Sequence, residues 1–279
     1  MTPTVQIITD SSSNLPTWIA ENMGITVVDL HTLGAADEAT TAGLSALELT
    51  AVYARALERG GDRGVVAIHV GKELSHTWAN AVTAAAVFDT GAVRVVDTDS
   101  MGMGLGLAAL TAATHATAGE DVAECAAAAA EVLANTDTLI YVHKSDALRK
   151  SGRLSATTML SAALTARPIF RLRNGAFELA AKARTGAKAM AKLVEMVAAG
   201  AQEEPVVVAI QQHEARELAA GLARQLRPVL PEESTVFVVD ISPALAVHAG
   251  PGSIAVSIVH SQCTNFPEKE PKLSTGLGG

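Results

Sequence analysis

Aromatic side chains are scarce in this sequence: Trp, Tyr and Phe together make up 3% of 279 residues. A surface that reads nucleic acid by stacking bases on rings is therefore excluded. The interior has to be packed from Ala, Val, Leu and Ile, within a hydrophobic share of 49%. Positive charge is also short. Against 29 Asp and Glu there are 21 Lys and Arg, a net charge of −8 with no sustained basic run. Nothing in that balance neutralises a phosphate backbone or holds an anionic membrane surface, so partners are small molecules or proteins. There are two cysteines, Cys125 and Cys263, far apart and without metal-type spacing. They suit a reducing cytoplasm, with Cys125 read as a small buried hydrophobe in a helix. The opening MTPTVQIITD has no basic leader region and reads as a first strand. An uncharged run from Ser100 to Gly119 is Gly-, Ala- and Thr-rich and contains His115, the composition of a buried helix rather than a membrane span.

The sequence also lacks GxxxxGK[ST], GxSxG and HExxH, and its eight histidines show no ligand spacing. Neither a metal nor a cofactor is expected. What is present is a rhythm of Val- and Ile-rich runs alternating with helical patterns. Strands are predicted at 5–9, 25–30, 65–70 and 93–97, and helices at 16–23, 45–59, 76–88 and 103–118. This is the α/β pattern of a parallel sheet covered by helices. A helix at 121–134 and an apolar strand at 138–143 are expected to complete a first domain, 1–147. A chain above about 250 residues tends to divide, and a second α/β domain with a mixed sheet is expected over 148–266. Asn174-Gly175 turns a hairpin within 168–179. Helices at 187–199 and 214–227 and strands at 205–211, 235–241 and 253–260 follow. The Pro- and Gly-containing tail 267–279 is expected to be mobile.

In an open parallel sheet, ligands bind beyond the carboxyl ends of the strands. Those ends carry Asp10 to Asn14, Gly71 to Thr77 and Asp97 to Gly102, so Ser11, Ser75, His76, Thr77 and Ser100 gather on one edge. Ser75 stands where a helix N-cap is expected. Its hydroxyl either satisfies a helix N–H or, with the positive end of the helix, meets an anion. His69 ends a strand and reads as a satisfied core histidine. His248 precedes Ala249-Gly250-Pro251-Gly252, a turn whose glycines Gly250 and Gly252 let backbone approach a neighbour. Gly102, Gly104 and Gly106 miss the GxGxxG spacing, and close backbone packing explains them better than a dinucleotide.

The motifs TDSSSNLP (9–16), ELSHTWANA (73–81), DTDSMGMG (97–104), LRKSGRLS (148–155), RPIFRLRNG (167–175), KARTGAKA (182–189) and HAGPGSIAV (248–256) stand in order along nearly the whole chain. Together they resemble the DegV family, bacterial fatty-acid-binding proteins of two α/β domains. The resemblance implies a lipid carrier rather than an enzyme. Its ligand would be a long-chain fatty acid, presented to a separate dihydroxyacetone-kinase-like fatty acid kinase that makes an acyl phosphate for phospholipid synthesis in the cytoplasm. It implies that Ser75 and the Thr40-Thr41 pair hold the carboxylate, and that Arg184 and His248 serve the phosphorylated head group. Ala42, Gly71, His76 and Asn80 depart from the residues usual at these places. Two other classes fit the polar loops: a hydrolase or phosphatase of acyl or phosphate esters using Asp10 or Asp97 with His248, and a nucleotide or other small-metabolite module using the 102–106 loop. The basic segment Arg149 to Arg153 is read as a solvated helix end or a kinase-docking patch.

Overall fold

The computed structural model describes residues 5–34, 39–143, 167–260 and 264. The first sheet has strands β1 (Gln6–Asp10), β2 (Thr26–Val28), β5 (Val65–Ile68) and β6 (Val93–Val95), all parallel, in the order β2-β1-β5-β6. β1 and β5 are buried along their whole length, as central parallel strands covered on both faces must be. One face carries Ile8, Val65 and Ala67 against α2 (Ala46–Gly60) and α3 (Thr77–Ala85). The other carries Ile7, Val66 and Ile68 against α1 (Thr17–Met23), α4 (Met103–Ala118) and α5 (Val122–Ala134). Reciprocal capping boxes start α2 at Ser45/Glu48 and α5 at Asp121/Glu124, each stabilising its helix by about 1 kcal/mol.

The second sheet is mixed, in the order β11-β10-β12-β7-β8-β9. Its strands are β7 (Thr136–Tyr141), β8 (Arg167–Arg173), β9 (Ala176–Ala183), β10 (Val206–His213), β11 (Thr235–Asp240) and β12 (Ser253–His260). Only β10 and β11 pair in parallel. Asn174 and Gly175, at φ 49° and 71°, make the expected turn between β8 and β9. α6 (Gly186–Ala201) and α7 (Arg216–Leu226) cover the outer face, and the short α8 (Pro243–Ala249) precedes β12.

α4 is the layer between the two sheets. Its buried Leu, Ala and Met residues touch Ile7 and Val66 of the first sheet and Val207, Ala209 and Val259 of the second, so the uncharged run is a core helix. Its glycines serve close approach. A Cβ on Gly104 would meet Thr136 Cγ2 at 2.7 Å, and one on Gly106 would meet the Ser13 carbonyl oxygen at 2.7 Å.

Two expectations are corrected. The strand expected to complete the first domain, β7, lies in the second sheet between β12 and β8, because its apolar residues find their ladder partners there. The single strand expected over 25–30 ends at Val28, and a separate hairpin follows, β3 (His31–Leu33) with β4 (Thr40–Ala42). Position 147, the basic segment 149–153 and the tail 267–279 lie outside the described residues.

Candidate functional site

The carboxyl ends of β1 and β5 and the loop after β6 face the inner surface of the second sheet across a cavity of about 360 Å³, within the size range of small-ligand pockets. Alternate residues of a strand share a face, and here that face supplies Ile140 and Val142 beside β7's end, Ala255 of β12 and Phe177 of β9. Val70, Leu74 and Met101 close over them from the first half. This part of the wall is apolar; Phe177 lines it, and Phe170 belongs to the same cluster.

One side of the cavity is polar. Ser75 lies one residue before His76, which occupies the N-cap position of α3 without a side-chain cap bond. The Ser75 hydroxyl accepts the Thr77 amide at 3.2 Å and lies 3.0 Å from the Thr77 hydroxyl, which itself accepts the Leu44 amide at 3.2 Å. With Thr77 donating to it, Ser75 keeps its own proton for a ligand oxygen. Thr41 comes from β4, and its hydroxyl is hydrogen-bonded to His248 Nε2 of α8 at 2.7 Å. Gly43 draws these pieces together: a Cβ there would lie 2.8 Å from the Thr77 hydroxyl and 3.0 Å from that of Ser75. Lys72, on the same rim, bonds Asp97 at 2.5 Å and sits 5.7 Å from the Trp78 ring centroid. The hydrogen bond to Asp97 holds its ammonium above the ordinary lysine range.

The structure thus brings Ser75, Thr41, His76 and His248 to one cavity. It separates the other candidates. Thr40 is exposed and lines a wide open cleft on the far side of His248, together with Gly250 and Gly252. Thr77 and Ser100 are buried behind the cavity wall. Ser11 accepts the Leu30 amide at 3.0 Å and faces a third hollow. Arg184 is exposed at the bend between β9 and α6 and does not line the cavity. The departures have local reasons. A Cβ on Gly71 would meet Asp99 Cα at 2.9 Å, leaving no room for a serine, and Asn80 donates to the Leu44 carbonyl at 2.7 Å, tying α3 to the segment after β4.

Sequence reasoning placed Ser12, Asn14 and Lys72 in the loops at the ligand edge without singling them out, and missed Gln211; all four are in the cavity wall. The available signal for Gln211 was a polar pair ending the apolar run Val206 to Ile210. A Cβ on Gly102, at φ 68°, would come within 2.4 Å of its amide oxygen.

Among the described residues, neither Asp10 nor Asp97 joins His248 at this cavity. Asp10 is wholly buried and accepts the Ser12 hydroxyl, the Ser12 and Val70 amides at 2.9 Å each, and a bond with His69 Nδ1 at 3.1 Å. His69 Nε2 meets the Tyr53 hydroxyl at 2.9 Å. Burial opposes the Asp10 charge, but the His69, Ser12 and Val70 bonds outweigh it and hold the carboxyl below its ordinary range. Asp10 is absent from the cavity that His248 lines. Asp97 is engaged by Lys72; of the glycines at 102–106, Gly102 lines the cavity, while Gly104 and Gly106 pack closely against Thr136 and Ser13. Among the described residues, no metal-binding group of His, Cys, Asp and Glu occurs, and no helix is long and apolar enough to cross a membrane.

Two α/β layers thus border a largely apolar cavity with a hydroxyl- and imidazole-bearing rim. The model of the DegV family, described as uncharacterised protein, matches residues 31–261. A DegV domain-containing protein of Corynebacterium glutamicum is 53% identical over 276 residues, 99% of this chain and 98% of that protein. The crystal structure of a DegV family protein from that organism matches with TM-score 0.90 at 51% identity, covering 94% of this chain and 98% of the other. A fatty-acid-binding DegV family protein from Thermus thermophilus matches with TM-score 0.84 at 26% identity, covering 92% and 99%. The chain belongs to the DegV family.

Proposed function

We propose that this protein carries a long-chain fatty acid, with the hydrocarbon in the apolar cavity and the carboxylate at Ser75, Thr41 and His248. The observation that carries the reading is the convergence of these three side chains on the polar side of a largely apolar cavity. Fatty acid binding by the Thermus relative supports it. A C16 chain buries about fifteen methylene or methyl groups at roughly 0.8 kcal/mol each, on the order of 10 kcal/mol before ordering costs. The carboxylate must then be hydrogen-bonded, since an unpaired buried charge would cancel several kcal/mol of that gain. Ser75, Thr41 and the amino end of α3 supply donors and a favourable dipole, and Lys72 adds a cation on the rim.

The same reading makes the protein a presenter rather than a catalyst. A separate cytoplasmic kinase of the dihydroxyacetone-kinase type would phosphorylate the carboxylate, feeding phospholipid synthesis. His248 lines both the cavity and the open cleft, so a partner seated in that cleft would reach the head group past it. Arg184 would act only on the partner-bound complex. Within this proposal the two sheets are the two units, and the chain crosses from one to the other at Asn135. The test is mass spectrometry of an organic extract of the purified protein, followed by loading and phosphorylation assays. Roughly one long-chain fatty acid per chain is expected. His248→Ala and Arg184→Ala should depress acyl-phosphate formation by added kinase and ATP more than they depress loading. An extract without lipid, together with no uptake of added fatty acid, refutes the carrier reading. Normal phosphorylation by both variants refutes the presentation step.

A further inference from the structure

Deep in the cavity wall, a chain of buried polar groups has an orientation set by backbone donors. The Met103 amide donates to Gln211 Oε1 at 2.8 Å, and the Ser242 amide donates to Asn14 Oδ1 at 2.8 Å. Backbone N–H groups only donate, so both side-chain amides are fixed against flipping. Asn14 Nδ2 then donates to Gln211 Oε1 at 2.8 Å, which fills that oxygen. Gln211 Nε2 donates to Ser257 Oγ at 3.1 Å, and Ser257 lies 3.1 Å from Thr138 Oγ1. Either hydroxyl can be the donor of that contact, and in the arrangement where Ser257 donates onward the Thr138 proton has no acceptor among the described residues. One N–H of Gln211 and one of Asn14 are surplus in the same way. Gln211, Thr138 and Asn14 are 0%, 3% and 6% exposed, and all three line the cavity.

Buried donors of this kind are costly when unmet. Three of them around one apolar chamber, with no cation among them, match an uncharged acceptor oxygen. Their position is also defined. Ile254 pairs with Tyr141 and Ser257 with Thr138, so the start of β12, which follows His248 and α8, lies at the Val142 end of β7. Thr138 is four residues further down that strand, about 13 Å at ~3.3 Å per residue. An extended alkyl chain advances about 1.3 Å per carbon, from C–C bonds of about 1.5 Å, so Thr138 lies about ten carbons along the wall from the Val142 end.

We infer that Thr138, Gln211 and Asn14 form a second polar subsite that selects fatty acids bearing a hydroxyl or carbonyl oxygen near the middle of the chain. This rests on the fatty-acid reading above and names the substrate class within it. The test is competition of stearate, 2-hydroxystearate and 10-hydroxystearate against a fluorescent fatty acid on the full-length protein, repeated with Thr138→Val. The mid-chain hydroxy acid is expected to bind about tenfold tighter than stearate, the value of roughly one satisfied hydrogen bond, and the 2-hydroxy acid is expected to gain no such advantage. In Thr138→Val the ratio between 10-hydroxystearate and stearate should fall to about one. If stearate binds and the wild-type ratio is already one or less, or if both hydroxy acids gain equally, the subsite is overturned while the carrier reading stands. If none of the acids binds, both fall. Should Thr138→Val not fold, the positional series on the wild type decides alone.

Discussion

Replacing Ser75 by alanine tests the link between the helix start and the ligand. The Ser75 hydroxyl takes the Thr77 amide at 3.2 Å and contacts the Thr77 hydroxyl at 3.0 Å. Alanine keeps the Cβ and removes only the oxygen. Loss of the helix-start bond should cost about 1 kcal/mol of folding stability. Loss of a hydrogen bond to a carboxylate should cost a further 1.5–3 kcal/mol or so of binding, a fall in affinity of about 10- to 150-fold. The two effects separate experimentally: urea unfolding of the lipid-free protein reads the first, and calorimetric titration with a long-chain fatty acid reads the second. A second binding measurement with the corresponding fatty alcohol isolates the charge-assisted part, because its affinity should fall much less. A variant that unfolds earlier in urea yet binds fatty acid as the wild type does would reduce Ser75 to a structural cap and remove the carboxylate from this rim.

Gly102→Ala forces a side chain into left-handed backbone, with its Cβ within 2.4 Å of Gln211 Oε1. It should destabilise the protein by about 2 kcal/mol or more, read as a lower urea midpoint, and an unchanged midpoint would mean that the Gly102–Gln211 contact is not tight. The pH dependence follows from Asp10, whose folded carboxyl is held below its ordinary range. A depressed folded value contributes stability that is fully present above the unfolded value of about 3.9 and is lost as pH falls through the folded one. Asp10→Asn should therefore be less stable than wild type above pH 5, with the gap closing below about pH 4. A gap that stays constant from pH 6 to pH 3 contradicts this.

Much of the architecture was legible because it is written in local periodicities. Alternating apolar runs and helical stripes marked most strands and helices, Asn174-Gly175 marked a turn that needs positive φ, and the glycines of 102–106 marked a helix entering between close neighbours. Ser75 was legible as a residue at a helix start facing a strand end. Partnership was not. The apolar residues of β7 suit either sheet, and only the ladders with β12 and β8, formed with residues far along the chain, place it in the second. Thr40 and Thr41 are equivalent in sequence, but successive residues of a strand point to opposite sides, so Thr41 meets His248 while Thr40 opens onto the cleft. Gln211 reads as a polar strand end until Asn14, 197 residues away, and Met103 fill its oxygen and make it part of the cavity wall. The sequence by itself determined the elements and the chemistry available at their ends. Which of those ends share one cavity was decided by tertiary packing, because burial and hydrogen-bond partnership at each position depend on residues brought near only when the two sheets close on α4.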